Sequence, residues 1–160
     1  MNRIGVLSDT HGNVQGIRKA LEVFKSEKVD CIFHAGDLEN PEDVKLFGDF
    51  KSYIARGNCD NLMQLKEMAS SEKEILVEDY HELEFSGQRI LLLHSDQSSF
   101  FYSSAMSGNY DIIFRGHTHT FEDSMIQDTR ILNPGALWRT PLPSIGILDL
   151  SGLLWRRVVL

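Results

Sequence analysis

Cysteine is scarce in this chain: only Cys31 and Cys59 occur among 160 residues, far apart and without a Cys-x-x-Cys pair. That excludes a disulfide framework and a zinc finger, and it leads to the expectation of a reducing, cytoplasmic location. Basic residues are in deficit too, with 16 Lys and Arg against 23 Asp and Glu and a formal net charge of -7. A diffuse acidic surface repels a phosphate backbone, so broad nucleic-acid binding is not expected, although a local cation-rich pocket can still hold one phosphate group. No apolar run approaches the roughly 18 residues that a membrane helix needs. The opening Met1-Asn2-Arg3-Ile4-Gly5-Val6-Leu7-Ser8 meets an aspartate at once and reads as neither signal peptide nor membrane anchor. Low-complexity stretches and repeats with a period of roughly 20–50 residues are also missing, which sets aside linkers and solenoids.

What remains is the composition of a globular protein, 42% hydrophobic and 24% charged. A chain of this length is expected to form one domain over residues 1–160 and to bury roughly 70% of its unfolded surface. It needs neither a disulfide nor a structural metal to hold together, so any metal it binds serves function.

In the first half, strand-length apolar runs alternate with helical patterns. Arg3 to Leu7 reads as a buried strand stopping at Ser8-Asp9, after which Val14, Ile17, Leu21 and Phe24 recur at helical spacing. Cys31 to Ala35 is the next strand, Pro41 to Phe50 a helix with Asn40 as its cap and Pro41 in its first turn, and Tyr53 to Ala55 a third strand. Such alternation implies a parallel sheet. After about Ser71 the pattern turns strand-rich, with Ile75 to Val77, Leu83 to Phe85, Ile90 to Leu93 and Ile112 to Phe114. Ser86-Gly87-Gln88 signals a hairpin, and one helix is expected around Ser98 to Met106. Phe121 to Ile126, Arg130 to Leu132, Ile145 to Leu150 and Leu153 to Val159 complete an α/β protein of two mixed β-sheets packed face to face and flanked by helices.

The acids and imidazoles fall where these strands end. Asp9 and His11 follow the first strand, Gly36-Asp37 the second and Gly57-Asn58 the third, while His94 and Gly116-His117-Thr118-His119 follow later ones. In a mostly parallel sheet those ends share one edge, where open α/β folds place their sites. Asp9, His11, Asp37, Asn58, His94, His117 and His119 offer more donors than one tetrahedral zinc can use. Two divalent transition-metal ions fit better, and the mixture of imidazole and carboxylate suits Mn2+, with Ni2+, Fe2+, Co2+ or Zn2+ as alternatives, rather than calcium. Asp37 is the expected bridge, each of its oxygens facing one ion. His117 and His119 lie two apart, so in strand geometry they point in opposite directions and serve different ions. Two metals roughly 3.5–4 Å apart clamp the attacking and leaving oxygens of an in-line displacement, which is phosphoryl-transfer chemistry.

Asp9-x-His11, Gly36-Asp37, Gly57-Asn58-Cys59-Asp60, His94 and Gly116-His117-x-His119, in this order, resemble the calcineurin-like metallophosphoesterases. The closing Asn133-Pro134-Gly135 and the cysteine form of the third motif are similar to the small bacterial and archaeal phosphodiesterases of that superfamily. The resemblance implies a four-layer α-β-β-α sandwich. It also implies that Asp9, His11, Asp37 and His119 hold one ion and that Asp37, Asn58, His94 and His117 hold the other, the latter four serving as the catalytic set. The implied activity is hydrolysis of a small phosphodiester by metal-activated water. Two departures stand out: Ser95 follows His94 where the family commonly has Gly, and Ala136 stands where it often has Ser. Cys59 takes the place that many members give to a histidine beside the metal-binding asparagine, so leaving-group protonation is expected to be weak. Its plain alternative is a small buried hydrophobe.

Other candidates have plainer readings. His34 is expected to be a hydrogen-bonded core histidine and His81, among acids, a surface one. Arg56 reaches either a substrate phosphate or a salt-bridge partner, Asn13 caps the helix after it, and Asp60 caps the next segment or orients its neighbours. Phe100, Phe101 and Tyr102 read as core or pocket wall. The rival functions are a phosphomonoesterase with the same site and a non-catalytic scaffold such as the retromer small subunit, which shares the fold. A metal-dependent amidohydrolase barrel needs about 250 residues and is excluded by length.

Overall fold

The computed structural model describes residues 3–160; Met1 and Asn2, which begin the opening segment considered above, lie outside the described residues. Strands β1 (Arg3–Leu7), β2 (Cys31–His34), β3 (Ser52–Ala55) and β4 (Ile75–Glu78) alternate with helix α1 (Val14–Ser26), a 3-10 helix (Pro41–Phe47) and helix α2 (Leu62–Ala69). The second half runs β5 (His81–Phe85), β6 (Gln88–Leu92), α3 (Ser98–Met106), β7 (Ile112–Phe114), β8 (Phe121–Ile126), β9 (Thr129–Pro134), β10 (Ser144–Asp149) and β11 (Leu154–Val159).

Two sheets result. The six-stranded one has the order β11-β10-β1-β2-β3-β4, and the five-stranded one β5-β6-β7-β9-β8. β1 to β4 pair in parallel, as do β6, β7 and β9, while the outer strands are antiparallel additions. The parallel strands are buried on both faces, which is why they read as continuous apolar runs. Ile4, Val6, Phe33, Tyr53, Ile90, Leu92, Phe114 and Trp155 fill the space between the sheets. The outer face of the larger sheet, through Ile32 and Ile54, packs on Ile17 and Phe24 of α1 and Leu65 of α2. Leu91, Ile113 and Ile131 of the smaller sheet pack on Phe101 and Ala105 of α3. These four layers form the expected α-β-β-α arrangement.

Local chemistry explains the punctuation. The Asn13 side chain accepts the Gly16 N–H at 3.0 Å, which caps α1, and its Nδ2 donates to the Leu137 carbonyl at 2.9 Å. Ser86 and Gly87, with φ of 51° and 77°, supply the two positive dihedrals of a tight β5–β6 hairpin. The helix expected from Pro41 to Phe50 is shorter and tighter: it is a 3-10 turn ending at Gly48, whose N–H bonds the Lys45 carbonyl three residues back. Helix α2 was not foreseen. Its signal is present in Asn61, whose side chain accepts the Gln64 N–H at 3.2 Å, and in the buried pair Leu65 and Ala69 at helical spacing.

Candidate metal centre

The loops leaving β1, β2, β3, β6 and β7 meet at one edge where both sheets end. The first two are zipped by backbone bonds: Asp9 N–H to Gly36 O at 2.9 Å, Thr10 and His11 N–H both to Asp37 O at 3.0 Å, and Gly12 N–H to Leu38 O at 3.0 Å. Asp60 ties in the third, its carboxylate accepting the N–H groups of Asp37, Glu39 and Gly57 at 2.9, 2.7 and 2.8 Å. It orients its neighbours, and Asn61 does the helix capping. The tight turns are left-handed at Asp9, His11, Asp37, Glu39, Ser95, His117 and His119, with φ between 43° and 78°. Each such non-glycine residue costs of order 1 kcal/mol, and such costs cluster where a constellation of side chains is being held for function. Ser95, at φ 78°, thus takes a left-handed conformation that glycine adopts without cost, and its hydroxyl donates to Gly116 O at 3.4 Å.

Two glycines let these loops approach. A Cβ on Gly57 would lie 2.1 Å from Asp37 Oδ1, and one on Gly116 would lie 2.0 Å from Ser8 Oγ. Neither neighbour can yield, because Asp37 and Ser8 are themselves buried.

The seven candidate donors converge. Asp9 is fully buried; one carboxylate oxygen accepts the Ser8 hydroxyl, the His117 N–H reaches both oxygens at 3.2 Å, and His119 Nε2 lies 3.2 Å from Oδ1. Asp37 Oδ1 accepts the Cys59 N–H at 2.8 Å, while His94 Nε2 and His11 Nε2 approach Oδ2 at 3.3 and 3.7 Å. The two oxygens are therefore unequal: Oδ1 is taken by the backbone, and Oδ2 alone lies between the two imidazoles. Burial pushes the Asp9 carboxyl up against the opposing Ser8 hydrogen bond and the His94 and His119 charges. Burial also opposes ionisation of Asp37, but hydrogen bonds from His94 and the Cys59 N–H, with the His94 and His11 charges, hold it well below the usual carboxylate range.

The ring orientations follow from the outer partners. His94 Nδ1 donates to Ala35 O at 2.8 Å, and His11 Nδ1 donates to Glu39 Oε2 at 2.8 Å, so Nε2 of each ring is the atom that faces the centre; burial opposes a charge on His94, but the Asp37 and Asp9 carboxylates push its pKa up. Around His94 Nε2 stand three further atoms able to ligate a metal, Asn58 Oδ1 at 3.1 Å, Asp37 Oδ2 at 3.3 Å and His117 Nδ1 at 3.3 Å. His11 Nε2 is buried without any hydrogen-bond partner. Ligating atoms crowd together in this way where a cation can complete the set. The residues fit divalent ions: ligand atoms of Asp9, His11 and His119, and of Asp9, Asp37 and His94, lie within 4.8 Å of one another.

His117 and His119 do face different partners, but not through strand alternation. Both lie beyond β7 in a left-handed loop, with φ of 69° and 56°. Asn133 holds that loop, its Nδ2 donating to Gly116 O and Thr118 Oγ1, both at 3.1 Å. Its Oδ1 accepts the Gly135 N–H at 2.9 Å, which gives the Asn133-Pro134-Gly135 segment its partners. Ala136 is buried, with its carbonyl accepting the Ser144 N–H at 3.1 Å. Glu39 was missed by sequence reasoning: it is exposed and bears no periodic signal.

His34 is the expected core histidine, bonded to Thr10 Oγ1 at 3.1 Å and held down to about 4 by burial. His81 is not on the surface: it is buried against the Tyr53 ring, with Nε2 at 3.0 Å from Ile54 O. β5 alternates, so His81 shares the inward face with Leu83 while Glu82 and Glu84 point out. Arg56 takes the salt-bridge option, Nε donating to Asp79 at 2.7 Å and Nη1 to Gly57 O at 3.0 Å. Cys59 is exposed, which removes the buried-hydrophobe reading; partial desolvation of the thiol, with the Asp37 charge and hydrogen bond, pushes it up to about 11. Phe101 is core, Phe100 lines a cleft and Tyr102 is exposed. That cleft, about 360 Å³, opens beside His94 between Arg56, Asp79, Tyr80, Asp96 and Phe100. No helix among the described residues is long and apolar enough to cross a membrane.

Comparison with known proteins gives concordant results. The calcineurin-like phosphoesterase superfamily domain matches residues 2–152. A phosphodiesterase of Methanocaldococcus jannaschii is 32% identical over 99% of both chains. The solved structure of an archaeal phosphodiesterase, also 32% identical, superposes with a TM-score of 0.91 over 99% of both chains. Vacuolar protein sorting 29 from Cryptosporidium parvum, 18% identical over 99% of this chain and 96% of its own, shares the fold with a TM-score of 0.67.

Proposed function

The chain belongs to the calcineurin-like phosphoesterase superfamily, and from that premise we propose that it is a cytoplasmic phosphodiesterase working with two divalent ions. It is a metal-dependent phosphoric ester hydrolase; the number of ions, their ligands and the diester preference are the proposal. Asp9, His11, Asp37 and His119 would hold one ion, and Asp37, Asn58, His94 and His117 the other, within a single domain. Manganese suits this set of imidazoles and carboxylates. When bound, such ions supply Lewis-acid activation of water and neutralise the charge of a phosphoryl group.

The observation that carries this reading is the convergence of ligating atoms around His94 Nε2 beside the unpartnered, buried His11 Nε2. The protein's own part is positioning. Ala35 O and the Glu39 carboxylate hold Nδ1 of His94 and His11, so that Nε2 of both rings is turned to the centre. The Cys59 N–H occupies Asp37 Oδ1 and leaves Oδ2 to face both rings. The Arg56 guanidinium is committed to Asp79 and Gly57 O, so charge neutralisation at the phosphate falls to the centre itself. A scaffold has no physical need for this arrangement.

The test is hydrolysis of a model aryl phosphodiester by the purified protein. Turnover should appear with added Mn2+ or a similar ion and vanish on chelation. Turnover of monoesters alone would replace the reading with a phosphomonoesterase, and no turnover of any phosphate ester with any ion, alongside tight binding to a protein partner, would replace it with a scaffold.

A further inference from the structure

The cleft beside His94 lies where the chain crosses from one sheet to the other. Asp79 and Tyr80 join β4 to β5, Arg56 follows β3, and Asp96 and Phe100 lead from β6 into α3. Its volume of about 360 Å³ is at the small end for ligand pockets, enough for one compact group and not for a polymer. One wall is aromatic: the Tyr80 and Phe100 rings sit 5.0 Å apart at 48°, and Tyr80 is 43% exposed although large and apolar-faced.

The charges are arranged against a second anion. Arg56 is paired with Asp79 and also feels the charge of Asp96, so the lining carries two carboxylates to one guanidinium, and Asp96 is the one without a salt bridge. Asp96 is half-buried and has no hydrogen bond among the described residues. It therefore offers acceptor oxygens in a partly desolvated position, where a donor from a ligand is worth more than in water. A planar ring with an N–H edge satisfies both features at once, stacking by its face and donating by its edge.

Resting on the phosphodiesterase reading above, we propose that this cleft is the subsite for one ester arm of the substrate, a single uncharged nucleoside. Its base would lie on Tyr80 and Phe100 and direct an exocyclic amino group at Asp96. The substrate class is then a diester with a single phosphate. Arms bearing a further phosphate or carboxylate are disfavoured by Asp96 relative to uncharged ones.

Four 4-nitrophenyl diesters, of cytidine 5′-phosphate, uridine 5′-phosphate, methyl phosphate and phosphoglycolate, test it on the metal-loaded enzyme. Cytidine presents an exocyclic amino group where uridine presents a carbonyl, with uridine's donor moved to N3, and the other two report the bare and the anionic arm. The expected order of kcat/KM is cytidine, uridine, methyl, carboxylate, with each nucleoside step about tenfold. Asp96→Asn should bring cytidine and uridine within about twofold of one another, since an amide no longer selects a donor. Tyr80→Ala and Phe100→Ala should each lower the uridine-to-methyl ratio about tenfold; these are ratios within one preparation, so partial misfolding does not mimic them. Equal kcat/KM for all four, or a cytidine preference unchanged in Asp96→Asn, overturns the subsite while leaving the phosphodiesterase reading intact. If none of the four is hydrolysed, that reading fails instead, and the cleft is judged by NMR on metal-free protein. Millimolar cytidine should shift the Tyr80 and Phe100 ring signals, and an absence of shifts overturns the subsite.

Discussion

The two sheets bring different chemistry to one edge and hold it by different means. The larger sheet supplies both carboxylates, Asn58 and His11, and locks them through backbone bonds between loops, with Asp60 binding three N–H groups at once. The smaller sheet supplies only imidazoles, His94, His117 and His119, and two of these hang on a loop steadied by the Asn133 side chain and the Ser95 hydroxyl. Where the backbone sets the donors, geometry is built into the fold. Where side chains set them, it can be tuned or lost one contact at a time.

The largest effect that this contrast predicts is at Asp37, whose Oδ2 lies between His11 and His94. Asp37→Ala should strip both ions, dropping elemental analysis from about two per chain to near none and activity by roughly a thousandfold. Full metal retention would remove the shared role of this carboxylate. On the other sheet the losses should be single. His117→Ala and His119→Ala should each empty a different position, because His117 Nδ1 lies against His94 and His119 Nε2 against Asp9. Crystal structures showing the same position vacated in both would break the contrast.

Much of this was legible in the sequence, for a physical reason. Buried parallel strands read as apolar runs, and residues just past their ends must gather at one edge, so Asp9, Asp37, Asn58 and His94 could be placed together without coordinates. What escaped depended on neighbours distant in sequence or on backbone handedness. Glu39 matters only because a left-handed turn carries it to His11, and His117 and His119 diverge through positive φ rather than by strand alternation. His81 was misread from its acidic neighbours, although the alternation in His81-Glu82-Leu83-Glu84-Phe85 already put it on the inner face. The charge of a segment was allowed to outweigh its period.

A smaller effect sharpens the comparison. Asn133→Ala removes the bonds to Gly116 O, Thr118 Oγ1 and Gly135 N–H without touching any candidate ligand. It should weaken metal affinity by about 10–100-fold, the range for outer supports of a metal site, with His117 and His119 the ligands affected. Competitive chelator titration measures this, and an affinity unchanged from the parent would show that the loop stands without its asparagine. The smallest change is expected at Cys59, which is exposed and whose backbone N–H bond to Asp37 survives replacement of the side chain. Cys59→Ser should retain both ions and cost less than about tenfold on an activated aryl diester. Kinetics showing a loss of several hundredfold with metals retained would make the thiol a direct participant.

Anomalous diffraction from crystals grown with Mn2+ tests the central claim most directly, since it locates ions independently of turnover. Two peaks are predicted, one among Asp9, His11, Asp37 and His119 and one among Asp37, Asn58, His94 and His117, separated by roughly 3.5–4 Å. A single peak at full metal loading, or two peaks that do not share Asp37, would contradict the account.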